Sequence, residues 1–244
     1  MTNKRRLKDS IELISAFRFE QTDPDAFYGL LAKDAIKYLE NYIDLTGFQV
    51  LDVGGGAGYF TAGFLAKGAF CIALEPDEAE LTWRKTNFYS AVIADGFRLP
   101  FKDNSFDLCF SSNVLEHVKD PISFLKEMLR VTKFGGYVFA CYTNWLSPWG
   151  GHETSPWHYF GGHWARKRYE RKYQKQPKNI YEKSLFPINV EQMIKFLKSS
   201  DLEIIDLSPR YYPSWAKWII YMPIVREFLT WNLAMLVRKC TNQI

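Results

Sequence analysis

A glycine-rich turn carries the strongest chemical signal in the sequence. Residues Val50–Gly58 read Val-Leu-Asp-Val-Gly-Gly-Gly-Ala-Gly, after a short apolar run and before a helix-like pattern. Glycines at such a turn let the backbone approach a ligand closely and adopt positive φ. A nicotinamide-binding loop has the pattern Gly-x-Gly-x-x-Gly. When that pattern is aligned on Gly54 and Gly56, its third glycine falls on Tyr59, whereas the last glycine here is Gly58. This register disfavours a dehydrogenase.

Two acidic residues stand at the ends of the next two predicted strands. Glu75 ends the second strand, and Asp95 with Gly96 ends the third. Open α/β sheets bind ligands at the carboxyl ends of their strands, and a carboxylate at the second strand can accept hydrogen bonds from both ribose hydroxyls. Asp95 could accept from an adenine amine, although a simple turn would also account for Asp95 and Gly96.

Apolar strands alternate with amphipathic helices along most of the chain, which predicts a parallel sheet covered on both faces. A helix over Asp25–Tyr42, capped by Asp23 or Asp25, leads into the first strand. The predicted strands are Gln49–Val53, Ala69–Leu74, Ala91–Ala94, Phe106–Ser111, Tyr137–Tyr142, Leu202–Leu207 and Leu233–Arg238. The other predicted helices are Tyr59–Lys67, Asp77–Phe88, Ile122–Thr132, Asn189–Ser199 and a pair within Pro213–Thr230 broken at Pro223.

The segment from Thr143 to Pro187 breaks this rhythm. It is polar, aromatic and punctuated by Gly and Pro, and it is too long for an ordinary connection. A long irregular segment within a domain is usually a lid or a binding element. We call residues 144–187 the lid.

Five motifs in order resemble those of class I, Rossmann-like methyltransferases that use S-adenosylmethionine, specifically the type 11 group. The match runs from about Phe48 to Thr143, and the tail from Asn144 resembles a set of uncharacterised bacterial methyltransferases. The motifs are Val50–Phe60, Glu75-Pro76-Asp77, Ala94-Asp95-Gly96 with Leu99-Pro100-Phe101, Ser105-Phe106-Asp107, and Asn113-Val114-Leu115-Glu116-His117.

This resemblance implies an α/β fold, a doubly wound, mostly parallel seven-stranded sheet with an N-terminal helical extension and a lid insertion after the fifth strand. One domain would span residues 1–244: a helical cap over 1–45, a cofactor-binding core over 46–143, the lid over 144–187, and C-terminal helices and last strands over 188–244.

The resemblance also assigns roles in cofactor binding. Glycines of the loop would pack against the methionine part, and Asp52 would reach the amino group through the loop or a water. Glu75 would bind the ribose, Asp95 with Gly96 the adenine, and the backbone around Ser111 and Asn113 would line the floor. The full predicted set is Asp52, Gly54, Gly55, Gly56, Gly58, Glu75, Pro76, Asp95, Gly96, Ser111 and Asn113.

Histidines supply the candidate catalytic groups. His117 follows the fourth strand and could remove a proton from the acceptor, but a structural role at the next helix is favoured. In the lid, His152, Glu153 and His158 could act as a base or bind the acceptor, and the alternative is that they are surface and lid-packing residues. Together with His163 their spacing fits no common zinc signature, so no metal site is predicted.

The charge distribution bears on the acceptor. The whole chain carries a net charge of +4, but residues 163–178 hold seven basic residues and one acid, so the rest sums to −2. This run could receive a phosphate, a lipid headgroup or RNA, or it could be a solvated helix face. Two nucleic-acid signatures of methyltransferase relatives are missing: no Asn/Asp-Pro-Pro-aromatic motif follows the fourth strand, and no Pro-Cys supplies a thiol nucleophile. Methylation of exocyclic amines or of C5 of a base is therefore disfavoured, and a nucleic-acid partner is not expected.

The leading hypothesis is methyl transfer to a small molecule or to an amphiphile such as a lipid or glycolipid. Tryptophans in the lid and tail beside basic residues suit a water–membrane interface. The alternatives are an RNA- or protein-modifying methyltransferase and a non-catalytic cofactor-binding module. The four separated cysteines and the absence of an export signal predict a cytoplasmic protein, with peripheral contact at the inner face of the membrane. The sequence predicts no oligomeric state.

Overall fold

Seven strands form the centre of the computed structural model, which describes residues 5–19, 22–82 and 90–240. All seven predicted strands are present, with bounds that differ by a few residues. The strands are β1 Gln49–Val53, β2 Phe70–Glu75, β3 Ser90–Ile93, β4 Phe106–Ser112, β5 Thr132–Thr143, β6 Leu202–Pro209 and β7 Asn232–Lys239.

Eight α-helices and several short 3₁₀ helices surround the sheet within the described ranges. The α-helices are α1 Leu7–Ala16, α2 Pro24–Leu39, α3 Tyr59–Leu65, α4 Glu78–Thr82, α5 Pro121–Val131, α6 Gly162–Tyr173, α7 Val190–Ser199 and α8 Val225–Leu229. The 3₁₀ helices are Phe17–Phe19, Leu115–His117, His152–Thr154, Trp157–Phe160 and Ser214–Tyr221. Asp23 caps α2, since its side chain accepts from the Ala26 N–H at 3.1 Å.

The sheet has the strand order β3-β2-β1-β4-β5-β7-β6. Strands β1 to β5 are parallel, and β7 is antiparallel to both of its neighbours, β5 and β6. The carboxyl ends of β1 to β6 and the start of β7 therefore lie at one edge. This confirms the predicted doubly wound, mostly parallel seven-stranded fold.

Two apolar cores cover the two faces of the sheet, because successive side chains along a strand point to opposite sides. Val50, Leu108 and Phe139 pack with α2 and α3, whereas their neighbours in the strands pack with α5 and α7. The N-terminal extension is held against this framework by the Arg5–Asp34 ion pair at 2.5 Å.

Three expectations for the elements are corrected. Strand β5 begins at Thr132, not Tyr137, because Thr132 pairs with Phe106 and a register shift absorbs the glycines that follow. The preceding helix consequently ends at Val131. The lid is not irregular, because it contains three 3₁₀ or α-helical segments, including the twelve-residue α6. Residues 83–88 of the predicted Asp77–Phe88 helix lie outside the described residues.

Asp52 lies in β1 beneath the glycine loop. Its carboxylate is 1% exposed and accepts from the Thr61 hydroxyl of α3 at 2.7 Å. Burial raises the pKa of Asp52 to about 7, because the interior disfavours the charged form more than the Thr61 bond favours it. The buried carboxylate faces Thr61, and contact with a cofactor through the loop or a water stays a prediction.

We expect Asp52→Asn to raise the melting temperature of the cofactor-free protein at pH 8 and to change it much less at pH 5. The native pKa is raised above the unfolded value of 3.8, so this group's contribution to stability is full below pH 3.8 and is lost as the pH rises through about 7. Asparagine cannot ionise and avoids that loss. Calorimetric melting curves across this range measure the difference.

Asp120→Asn is the control. Ser123 donates to the Asp120 carboxylate and lowers its pKa, so this group is ionised in both states between pH 5 and pH 8. The melting temperature of Asp120→Asn should therefore differ from that of the wild type by the same amount at every pH from 5 to 8. Parallel curves for Asp52→Asn and the wild type would show that Asp52 is ionised in the native protein.

Candidate functional site

The glycine loop after β1 forms an open cradle. Gly54, Gly56 and Gly58 have φ values of +75°, +48° and +76°, a region that side chains with a Cβ rarely adopt. A Cβ on Gly54 would lie 2.4 Å from the Val114 side chain, whereas one on Gly56 would meet nothing within 4 Å. The loop therefore packs tightly on the side of β4 and leaves free space above Gly56.

Glu75 borders this space at the end of β2. Its side chain is half-buried, and its Oε2 accepts from the Gly56 N–H at 3.1 Å. Burial raises the pKa of Glu75 above its ordinary value, and bonds from the backbone of Asp77 and Gly56 oppose that rise. Pro76 follows as an exposed residue. The glycine cradle and this carboxylate therefore adjoin at the strand ends, and ribose binding by Glu75 stays a prediction.

Asp95 and Gly96 form a tight turn after β3. Asp95 is exposed, and its Oδ1 accepts from the Phe97 N–H at 2.9 Å. A Cβ on Gly96 would lie 2.3 Å from the Phe124 ring, so this position requires glycine for packing. Asp95 and Gly96 thus form the turn that the sequence offered as an alternative. Adenine binding by the exposed Asp95 carboxylate stays a prediction.

The end of β4 forms the floor predicted around Ser111 and Asn113. The buried Ser111 hydroxyl donates to the Val53 carbonyl at 2.8 Å, so it joins β4 to β1 and does not face a ligand. Asn113 has a φ of +58°, and its Oδ1 accepts from Asn232 Nδ2 at 2.8 Å. The Asn113 N–H also donates to the Cys141 carbonyl at 2.9 Å, so cofactor binding by this floor stays a prediction.

A carboxylate and two histidines meet just beyond this floor. Glu116, His117 and His152 each present a potential ligand atom, and these atoms all lie within 4.8 Å of one another. The His117 and His152 rings have centroids 5.3 Å apart. Glu116 and His117 belong to the 3₁₀ helix after β4, whereas His152 comes from the lid. Tertiary structure thus joins His117 to one of the predicted lid histidines.

Hydrogen bonds fix each member of this group, which we call the Glu-His-His cluster. The Glu116 carboxylate is 1% exposed, and its Oε1 accepts from the Thr143 N–H at 2.9 Å. Nδ1 of His117 lies 2.7 Å from the Ser184 carbonyl, and Nδ1 of His152 lies 3.4 Å from the Gly150 carbonyl. Burial lowers the pKa of His152, which favours the neutral imidazole.

The other predicted lid residues do not join the cluster. Glu153 is exposed, and its carboxylate accepts from Asn179 Nδ2 at 3.0 Å. His158 is buried with its Nε2 3.1 Å from the Ser147 carbonyl, and burial lowers its pKa. His163 faces Glu182 at 3.2 Å on the surface. Glu153 thus lies at the surface and His158 in the lid's interior, and a catalytic role for either stays a prediction.

Sequence reasoning missed Arg210 and Asn232, which complete the polar surroundings of this edge. Arg210 is buried after β6, and its Nη1 lies 2.8 Å from Ser112 Oγ and 2.6 Å from Cys141 Sγ. Within the described chain, Arg210 Nη2 and Asn232 Oδ1 are buried and have no hydrogen-bond partner. No local motif marks either residue, because β6 and β7 reach this edge only through the sheet order.

Comparisons with known proteins agree with this geometry. Residues 51–140 match the model of the type 11 methyltransferase domain. An uncharacterised methyltransferase of Mycolicibacterium gilvum is 42% identical over 98% of this chain and 97% of its own length. Another, from Mycobacteroides abscessus, is 42% identical over 95% of this chain and 94% of its own length.

A solved S-adenosylmethionine-dependent methyltransferase of Mesorhizobium loti has the same fold. It aligns with a TM-score of 0.60 and 16% identity, over 85% of this chain and 99% of its own. The two curated relatives are similar along nearly the whole chain. The chain therefore belongs to the type 11, Rossmann-like methyltransferases, and S-adenosylmethionine is its cofactor.

Proposed function

We propose that this enzyme methylates an amphiphilic acceptor, a lipid or glycolipid, at an anionic membrane surface. The observation that carries the proposal is an exposed aromatic cluster on the lid beside a basic helix. Aromatic rings and Lys or Arg side chains together suit the boundary between headgroups and acyl chains.

The aromatic cluster consists of Trp157, Phe160 and Trp164. Their exposed fractions are 37%, 72% and 48%, although each ring contacts the other two with centroids 5.9 to 6.2 Å apart. Rings that pack together without a covering element leave a continuous apolar surface. Such surfaces on soluble proteins mark sites of interaction.

Several basic residues of the lid lie on α6, the helix that also carries Trp164. Lys167, Arg171 and Lys172 are exposed on α6, and the Arg168 guanidinium stacks 3.9 Å above the Trp157 ring. A cation over an aromatic face keeps its positive charge beside the apolar surface. This combination favours an anionic lipid surface over a purely apolar partner.

The C-terminal region adds a second exposed apolar segment. Trp215, Trp218, Tyr221, Ile224 and Phe228 lie between β6 and β7, and each is at least 45% exposed. None of the helices in the described ranges is long and apolar enough to cross a membrane. The proposed contact is therefore one of side chains at an interface.

The lid connects this surface to the methyl-transfer site. Its return segment donates the Phe186 N–H to the Glu116 carbonyl at 2.8 Å, and its Ser184 carbonyl holds His117. Bound S-adenosylmethionine supplies an activated methyl group, so the protein has mainly to align the acceptor. The buried polar atoms of Arg210 and Asn232 would face the polar end of an amphiphile whose apolar part extends toward the aromatic cluster.

We expect Glu75→Gln to weaken binding of S-adenosylhomocysteine by about 10- to 100-fold, since a hydrogen bond to a charged group contributes about 1.5–3 kcal/mol. Isothermal titration calorimetry measures the change. Glu80→Gln, on the adjacent α4, alters an exposed carboxylate and should bind as the wild type does. Unchanged affinity in Glu75→Gln would remove Glu75 from the cofactor site.

We expect the triple variant Lys167→Gln, Arg171→Gln, Lys172→Gln to bind anionic vesicles about 100-fold more weakly than the wild type. Each basic residue near an anionic surface contributes about 1 kcal/mol, and three such losses give about that factor. Sedimentation with phosphatidylglycerol-containing vesicles, compared with pure phosphatidylcholine vesicles, measures this change. The matched control neutralises the exposed Lys102, Lys126 and Lys198 elsewhere on the surface.

The aromatic cluster is tested separately. The triple variant Trp157→Ala, Phe160→Ala, Trp164→Ala should no longer sediment with anionic vesicles. The control Phe70→Ala, which removes another exposed ring (63% exposed), should still sediment.

The acceptor itself is sought by incubating the protein with methyl-labelled cofactor and fractionated cell extract. Label in the lipid fraction supports the proposal. Label in RNA, with binding that weakens steeply as salt rises, would replace it with the nucleic-acid alternative.

A further inference from the structure

We propose that Glu116, His117 and His152 form a divalent metal site, best suited to Zn²⁺, with an open coordination position beside the methyl-transfer site. The three residues come from the end of β4 and from the lid, and their potential ligand atoms lie within 4.8 Å of one another. The chemical class of the remaining ligand is an acceptor hydroxyl or thiol. Metal binding stands independently, whereas its use in catalysis rests on the proposed methyl transfer.

The donor set matches zinc. Two imidazoles and one carboxylate are the protein ligands of several catalytic zinc sites, where a fourth position stays open for water or substrate. A tetrahedral ion with bonds of about 2.1 Å separates its ligands by about 3.4 Å. Modest side-chain rotations would therefore bring the three groups onto one ion.

A backbone carbonyl lies beside Nδ1 of each histidine. A metal-binding histidine usually donates its second ring N–H to a carbonyl or carboxylate, which fixes the tautomer. Nδ1 of His117 is 2.7 Å from the Ser184 carbonyl, and Nδ1 of His152 is 3.4 Å from the Gly150 carbonyl. Donation from Nδ1 leaves the Nε2 lone pair of each ring available to a cation.

The Glu116 carboxylate provides an independent indication of a ligand. Oε1 accepts from the Thr143 N–H, but Oε2 is buried and has no hydrogen-bond partner within the described residues. A buried carboxylate oxygen without a partner is costly unless a cation or a donor compensates it. A bound metal would satisfy Oε2 and hold the lid residue His152 against the sheet.

This proposal replaces the expectation of no metal site. That expectation considered the lid residues His152, Glu153, His158 and His163, and the structure places only His152 of these in the cluster. Spacing did not reveal this site, because Glu116 and His117 are adjacent in the chain whereas His152 comes much later, in the lid.

The test is Zn²⁺ titration of the tag-free, chelator-dialysed protein by isothermal titration calorimetry, with Co²⁺ absorption as a second readout. We expect one ion per chain. Glu116→Gln, His117→Gln and His152→Asn should each weaken binding by at least about 100-fold, since even loss of an outer-shell partner costs about 10- to 100-fold. Asparagine suits position 152, whose φ is +49°. Circular dichroism confirms that each variant is folded.

His163→Gln is the matched control, because it removes an exposed lid histidine outside the cluster. Cys240→Ser excludes binding by the partly exposed thiol. Absence of stoichiometric Zn²⁺ binding, or equal binding by the wild type and the three ligand variants, would overturn the proposal. Neither result depends on vesicle binding or on the acceptor, so the metal site and the proposed function fail separately.

Discussion

The hydrogen bonds of Glu116 are the constraint on which the rest of the site depends. This residue follows β4, its carboxylate accepts from the end of β5 at Thr143, and its carbonyl accepts from the returning lid at Phe186. A buried carboxylate must keep such partners, because an unpaired one is costly in the interior. Glu116 therefore fixes where the lid leaves the sheet and where it comes back.

This constraint divides the carboxyl edge of the sheet into two halves. On one side, the glycine loop and Glu75 form a cradle built from β1 and β2. On the other, Arg210 and Asn232 arrive from β6 and β7, because the reversal of β7 places its start beside the end of β5. In the proposed function, cofactor and acceptor approach from these two halves and meet near β4.

Much of this arrangement follows from local sequence. The strand and helix periodicities and the glycine loop depend on neighbouring residues, so their places were predictable to within a few positions. Glu75 and Asp95 were predictable because parallel strands must end at one edge. The start of β5 was not, since a register shift near Gly135 lengthened the strand by pairing Thr132 with Phe106.

The sequence by itself determined the fold class and the cofactor, and it located the glycine loop and Glu75 at strand ends, because these features depend on short local motifs. Only the tertiary structure decided which lid residue reaches the site. His152 lies against Glu116 and His117, while Glu153 and His158 turn to Asn179 and Ser147. These pairings come from the path of the lid, which is set by contacts between residues distant in the chain and leaves no periodic trace.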